Sequence, residues 1–292
     1  MNTKIYDRSS GKIIVEEQYQ EGYLKFLYHK AVGRLLLKLF FSAKLFSKFY
    51  ALTVDSKRSI KKIRPFIETY NLDMSQYQTK KYKSFNEFFI RKIRPETRPY
   101  SMDEHTLISP ADAKLMVFHI DSNLRMNIKH STYTLDELIQ DVSLSKEYVN
   151  GTCFVFRLTV DDYHRYHYID SGYKKSHKVI EGVLHTVSPI SSDRYKVYME
   201  NQREVSVLEG ENIGEYIQIE VGAILVGRIT NHKVATFRRG DEKGYFSFGG
   251  STVILLMKEN TIWVEDDIWE SSNKGIETKV KMGEKIGGII KC

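Results

Sequence analysis

Residues 245–257 read YFSFGGSTVILLM, a Gly-Gly-Ser-Thr turn set inside what otherwise has the composition of one buried strand. The plain explanation is a β-bulge carrying a glycine pair. The chemical one is that Ser251 attacks the carbonyl of the residue before it, Gly250. Without side chains, both glycines let the backbone bend and let a nucleophile come close. An α/β-hydrolase nucleophile elbow is disfavoured, because Val253 stands where that motif needs glycine and a strand pattern follows in place of a helix.

Two further stretches carry groups able to assist. The first, RLTVDDYHRYHYIDSG at 157–172, gathers Arg157, Asp161, Asp162, His164, Arg165 and His167. In a straight strand, positions 164 and 167 face opposite ways, so the two imidazoles have different jobs unless a bend unites them. A His-x-x-His pair could also be half a metal site, yet no matching Cys or carboxylate pattern accompanies it. The bland alternative is two structural histidines with satisfied hydrogen bonds. The second stretch, SPADAKL at 109–115, offers Asp112 among turn-forming residues, and a simple turn explains it equally well.

These groups need a scaffold. Beyond residue 100 the chain is a series of short β-rich runs: KLMVFHI, TCFVFRLTV, KVIEGVLHTV, RYKVYM, REVSVLE, EYIQIEVGAILVGRIT, KVATF, STVILLM and KVKMGEKIGGIIK. Turn residues separate them, and TLDELIQ at 134–140 is expected as one short helix. Before residue 100 the pattern is helical. Residues 22–53 place Lys30, Arg34, Lys38, Lys44 and Lys48 opposite Val32, Leu35, Leu36, Leu39 and Phe46 on a 3.6-residue wheel. Residues 57–72 and 84–93 read as further helices, the second opened by a Ser84–Glu87 capping box. Two prolines in RPETRP, 94–99, end that pattern. The expected fold is α+β: N-terminal amphipathic helices over 1–100, then a mainly antiparallel β-rich catalytic domain over 101–292.

The 292 residues carry a net charge of +7, which suits a polyanionic partner, either nucleic acid or anionic lipid. The positive charge concentrates on the Leu- and Phe-rich helix, and no nucleic-acid motif appears, so a lipid surface is favoured. Cys153 and Cys292 form no disulfide framework and read as free thiols. The first residues are polar with no apolar h-region and no run reaches about 18 apolar residues, so neither a signal peptide nor a spanning helix is expected.

In order along the chain, FNEFFIRKIRPETRP, SPADA, DDYHRYHYIDSG, ENQREV, VGAILVGRI and KGYFSFGGSTVILL resemble the phosphatidylserine decarboxylase family over roughly residues 80–290. Three positions depart from its usual pattern. Ala113 stands for a glycine, Gln202 for a glutamate, and Gly249 for the leucine of the best-known members. The resemblance implies a proenzyme cut between Gly250 and Ser251 into two chains that stay together as a heterodimer. Asp112 orients His167, which takes the Ser251 proton. The new chain begins with a pyruvoyl group made from Ser251. That group forms a Schiff base with phosphatidylserine and acts as electron sink while CO2 leaves, giving phosphatidylethanolamine. His164 is then the acid that reprotonates the α-carbon, and the opposite division between the two histidines stays open. Arg157 or Arg165 is expected to meet the phosphate or carboxylate of the substrate. The enzyme is expected peripherally, on the cytoplasmic face of the cell membrane, on anionic lipid. No metal and no nucleic acid are expected, and self-association is left open. The rival is a non-cleaving, membrane-bound scaffold of the same fold; others are a nucleic-acid binder or a pyruvoyl enzyme with a soluble amine substrate.

Overall fold

Strand-forming residues dominate the computed structural model, which describes residues 3–16, 30, 52–128, 131–183, 197–223, 228–249 and 251–290. The amphipathic stretch 22–53 lies outside the described residues except at Lys30 and 52–53, and so do Gly250 and Cys292.

The strands are β1 (Thr3–Asp7), β2 (Lys12–Glu16), β3 (Thr106–Ile108), β4 (Ala113–His119), β5 (Arg125–Ile128) and β6 (Ser131–Thr134). Next come β7 (Thr152–Leu158), β8 (Arg165–His167), β9 (Gly172–Ile180), β10 (Arg203–Gly210), β11 (Gly214–Val221) and β12 (Ile229–Asn231). The last six are β13 (Thr236–Phe237), β14 (Glu242–Phe246), β15 (Ser251–Met257), β16 (Ile262–Val264), β17 (Glu277–Val280) and β18 (Lys285–Ile289).

Ten of them form one sheet in the order β13-β9-β10-β11-β15-β7-β4-β17-β1-β2. β1 runs parallel to β17, and the other pairings in that sheet are antiparallel. Two three-stranded sheets, β12-β14-β8 and β16-β18-β3, accompany it. They cover one face, enclosing Leu115, Phe156, Tyr166, Phe246, Leu255 and Ile286. The other face buries Val155, Ile217, Ile254 and Leu256 beneath the short helix Leu135–Ile139 and the turn of helix Val197–Glu200.

β15 shows why STVILLM lacks polar alternation. It sits between β11 and β7, all seven residues are buried, and both faces of the sheet are covered there. The register sets Ser251 opposite Leu158 and Thr252 opposite Arg157. Ser251 therefore shares a face with Val253 and Leu255, the face covered by β8 and β14.

The run RYKVYM departs from expectation, since Val197–Glu200 is helical. Arg203 supplies the reason. Its buried guanidinium donates to the Met199, Asn201, Leu138 and Glu137 carbonyls at 2.6–3.0 Å. It thereby satisfies the open carbonyl ends of two short helices at once, outweighing the β-propensity of Tyr and Val.

Before residue 100, the 3-10 turn Lys57–Lys62 runs into the helix Ile63–Tyr70, and a second helix spans Phe85–Phe89. Ser84 caps it by accepting the Glu87 N–H at 3.1 Å, while the Glu87 carboxylate reaches back to the Lys83 N–H. This helix buries Phe85, Phe88 and Phe89 against Phe248. Each such ring is worth about 1.5–3 kcal/mol of burial, so the segment is fixed on the turn that precedes Ser251.

Candidate active site

Phe248 is where the helical segment meets the glycine turn. Its N–H donates to the Asn86 side-chain oxygen at 3.0 Å, and its ring packs edge-on against Phe85 at 5.1 Å and Phe89 at 4.9 Å. Gly249 follows with φ +127°, a conformation that favours glycine. Ser251 then opens β15, fully buried, its Oγ without a hydrogen-bond partner. A buried hydroxyl left unsatisfied is costly, which suits a group kept for chemistry.

The two histidines are supplied by the β8 segment. His164 precedes the strand and is fully buried, with the Phe89 ring tilted against it, centroids 4.1 Å apart. Its Nδ1 lies 2.9 Å from the Asp162 carbonyl, which fixes the proton on Nδ1 and leaves Nε2 as a bare acceptor. Burial pushes its pKa down to about 3, with the nearby Arg91 charge adding to the effect. The Asp162 carbonyl, a larger influence than Arg91, pulls the other way, as do the Asp161 charge and the backbone of Gly249. His164 is thus neutral, dry and beside the glycine turn.

His167 ends β8. Its N–H donates to the Pro110 carbonyl at 2.9 Å, and its Nδ1 lies 2.9 Å from the Gly240 carbonyl. Its Nε2 also has no partner. Burial lowers its pKa, while Gly240, Glu242 and Asp112 counteract that. The turn bringing Gly240 there has φ +80° at that residue, and a β-carbon would fall 2.2 Å from the Tyr100 ring. Glycine is required at that point.

Asp112 sits in the same region in an unexpected role. Its carboxylate is held by Arg98 in a two-pronged pair, at 3.0 and 2.6 Å, and accepts the Met282 N–H at 2.8 Å. The orienting hydrogen bond expected from Asp112 to His167 is not formed, because the Gly240 carbonyl occupies Nδ1. Asp112 acts on His167 through its charge.

Arg157 and Arg165, expected to meet the substrate, are both committed. Arg157 is buried and bound by Glu277 and Glu16, at 2.5 and 2.8 Å. Arg165 binds Glu242 at 2.5 Å and the Ile90 carbonyl at 2.6 and 2.9 Å. Asp162 accepts from Lys114, at 2.7 Å, and from the Thr159 N–H, holding the loop whose carbonyl orients His164. Sequence reasoning passed over Asn86, Phe89, Arg98, Lys114 and Gly240 as site-builders. Asn86, Phe89 and Arg98 all lie in FNEFFIRKIRPETRP, so the signal was there without a role attached. Among the described residues no group of three or more His, Cys, Asp or Glu side chains is arranged to hold a metal ion.

A buried serine hydroxyl, a neutral His164 packed on Phe89 and a buried His167 at the end of β8 are the groups here able to move protons. A family model described as phosphatidylserine decarboxylase matches residues 85–288. Phosphatidylserine decarboxylase proenzyme 2 of Clostridium acetobutylicum is 59% identical over 287 residues, covering 98% of this chain and 99% of the relative. The phosphatidylserine decarboxylase proenzymes of Clostridium novyi and Clostridium botulinum (strain Langeland) are 41% and 43% identical over 293 residues, each covering 97% of this chain and 98% of the relative.

Proposed function

The chain belongs to the phosphatidylserine decarboxylase family, and we propose that it is made as a proenzyme, cuts itself before Ser251 and converts phosphatidylserine to phosphatidylethanolamine and CO2. One observation carries this: a fully buried Ser251 Oγ, without a hydrogen-bond partner, follows a glycine turn whose Phe248 packs on Phe89, the ring that also contacts buried His164.

In maturation, Ser251 Oγ loses its proton and adds to the Gly250 carbonyl carbon. The C–N bond breaks, giving an ester. Loss of the Ser251 Cα proton then breaks the Cβ–O bond and frees the Gly250 carboxylate. One water converts what remains into a pyruvoyl end and ammonia. The two chains remain held by the sheet, because β11 and β7 flank β15 on either side. The orphaned Oγ and the apolar walls of Phe89 and Phe248 fit such a group. It supplies a carbonyl that takes up the substrate amine and draws electrons from the α-carbon as CO2 leaves.

His167 is the stronger candidate for the maturation base. It lies near two carboxylates, Glu242 and Asp112, that stabilise its protonated form. His164 serves turnover. In the free protein it stays neutral. The electron pair left on the α-carbon as CO2 departs is negative charge beside it, raising its proton affinity when that carbon needs a proton.

The basic, apolar stretch 22–53 holds the enzyme on an anionic leaflet as a peripheral protein. Among the described residues no helix is long and apolar enough to cross a membrane. The test is direct. Purified protein incubated with phosphatidylserine vesicles forms phosphatidylethanolamine, and Ser251→Ala forms none. Absence of product from wild-type protein overturns the assignment.

A further inference from the structure

Arg91 is a buried cation that no carboxylate pairs with among the described residues. It is 2% exposed. Its guanidinium lies 4.3 Å from the Tyr77 ring centroid and 5.0 Å from that of Phe88. Its hydrogen bonds reach only neutral acceptors: the Tyr77 hydroxyl at 3.1 Å, and the Phe89 and Asp161 carbonyls at 3.4 Å. Nε has no partner. Among the described residues Arg98, Arg157 and Arg165 each grip a carboxylate. Arg203 spends its donors on four carbonyls. Arg91 does neither. Burying a charge without a partner is expensive, so this position is suited to an anion that arrives from outside.

There is room for one. Arg91 lines a cleft of about 200 Å³ together with Lys80, Lys92, Arg165 and a single carboxylate, Glu87. Glu87 is taken by Lys80 at 2.6 Å, and Arg165 by Glu242. Arg91 inside and exposed Lys92 at the rim are left as unbalanced positive charges. The cleft adjoins the candidate active site. Phe89, two residues from Arg91, packs against His164, and the Arg91 charge is felt by that imidazole.

We infer that Arg91 seats the phosphodiester of the phosphatidylserine head group, with Lys92 at the mouth of the cleft. This rests on the decarboxylase assignment above. A phosphodiester is a better match than the serine carboxylate for a physical reason. The carboxylate loses its charge as CO2 departs, so a guanidinium bound to it would stabilise the ground state and slow the reaction. The phosphodiester keeps its charge throughout. Binding it helps ground state and transition state equally, and shows in KM rather than kcat.

The test uses self-cleaved wild type, Arg91→Gln and Arg91→Lys, assayed on phosphatidylserine vesicles, with glycerophosphoserine and inorganic phosphate as soluble competitors. Arg91→Gln is expected to raise KM about tenfold or more, the loss of charge-assisted hydrogen bonds. Its kcat stays within about threefold, since the contact is uniform. Arg91→Lys recovers part of the loss. Glycerophosphoserine competes with lipid in wild type, more tightly than inorganic phosphate, and competes less well in both variants. An unchanged KM, or a fall in kcat alone, overturns the inference. Inorganic phosphate competing while glycerophosphoserine does not would mark a site for free phosphate, and also overturns it. If Arg91→Gln fails to fold, Arg91→Lys and the wild-type competition decide. Wild type that never cuts itself defeats the decarboxylase assignment instead, whereas cut, active variants with wild-type KM defeat only this one.

Discussion

Asn86 joins the helical segment to the turn before Ser251: its side-chain oxygen accepts the Phe248 N–H at 3.0 Å, while its amide donates to Asp55 at 2.8 Å. The turn is thus clamped from a residue 162 positions earlier in the chain. Replacing Asn86 by Ala leaves a buried N–H without an acceptor, a cost of about 1–3 kcal/mol. Self-cleavage in Asn86→Ala is expected to slow by roughly tenfold or more, because near-attack geometry is lost. A time course of the intact band on denaturing gels measures it. Cleavage at the wild-type rate would show that the clamp does not position the bond.

Asp112 reaches His167 by charge, not by contact. Asp112→Asn removes a charge that supports protonation of His167, so the pKa of that imidazole drops further. A maturation base works when neutral, so the acidic limb of the rate–pH profile for self-cleavage should move to lower pH. The maximal rate should fall as well. A limb that stays in place would reduce Asp112 to the structural partner of Arg98.

The buried imidazoles also make the fold acid-sensitive. Burial holds His164 down to about 3 and lowers His167, while in the unfolded chain both titrate near ~6.5. The stability tied to their neutral forms is complete above about 6.5 and is lost as pH falls toward 3, because the unfolded chain binds protons that the folded one refuses. Denaturant midpoints should fall between pH 7 and pH 5, and fall less steeply in His164→Gln. Equal slopes would contradict the burial of that ring in solution.

Much of this site could be read in the sequence, and the reasons for the rest are physical. Ser251 and the histidines stand in unusual local contexts, a glycine pair before a strand and a dense polar run. STVILLM marked a doubly covered strand by its lack of alternation. Asn86, Arg98 and Gly240 act only through partners distant in sequence, so no local pattern could assign them. The same holds for Val197–Glu200, where Arg203 decides between strand and helix. β1 and β2 hid in a polar leader because β2 is an exposed edge strand, with Ile13 and Val15 both more than half exposed.

Membrane attachment should depend on the basic residues of 22–53 and not on self-cleavage. Val54 is buried with the phenylalanines around Phe248, and Asp55 holds Asn86, so any deletion must stop short of them. Changing Lys38, Lys44 and Lys48 together to Gln should weaken sedimentation with anionic vesicles about a hundredfold, at roughly 1 kcal/mol per charge. The two-chain pattern on gels should remain. Undiminished sedimentation would remove this stretch from the membrane contact.

The central claim is that Ser251 breaks the bond to Gly250 and becomes a carbonyl. Intact-mass and terminal mapping of the purified protein by mass spectrometry tests it most directly. The expected result is one fragment ending at Gly250 and a second whose first residue carries a ketone and no amine, both missing from Ser251→Ala. A folded wild-type chain that stays whole, or a second fragment that begins with an ordinary serine amine, would contradict it.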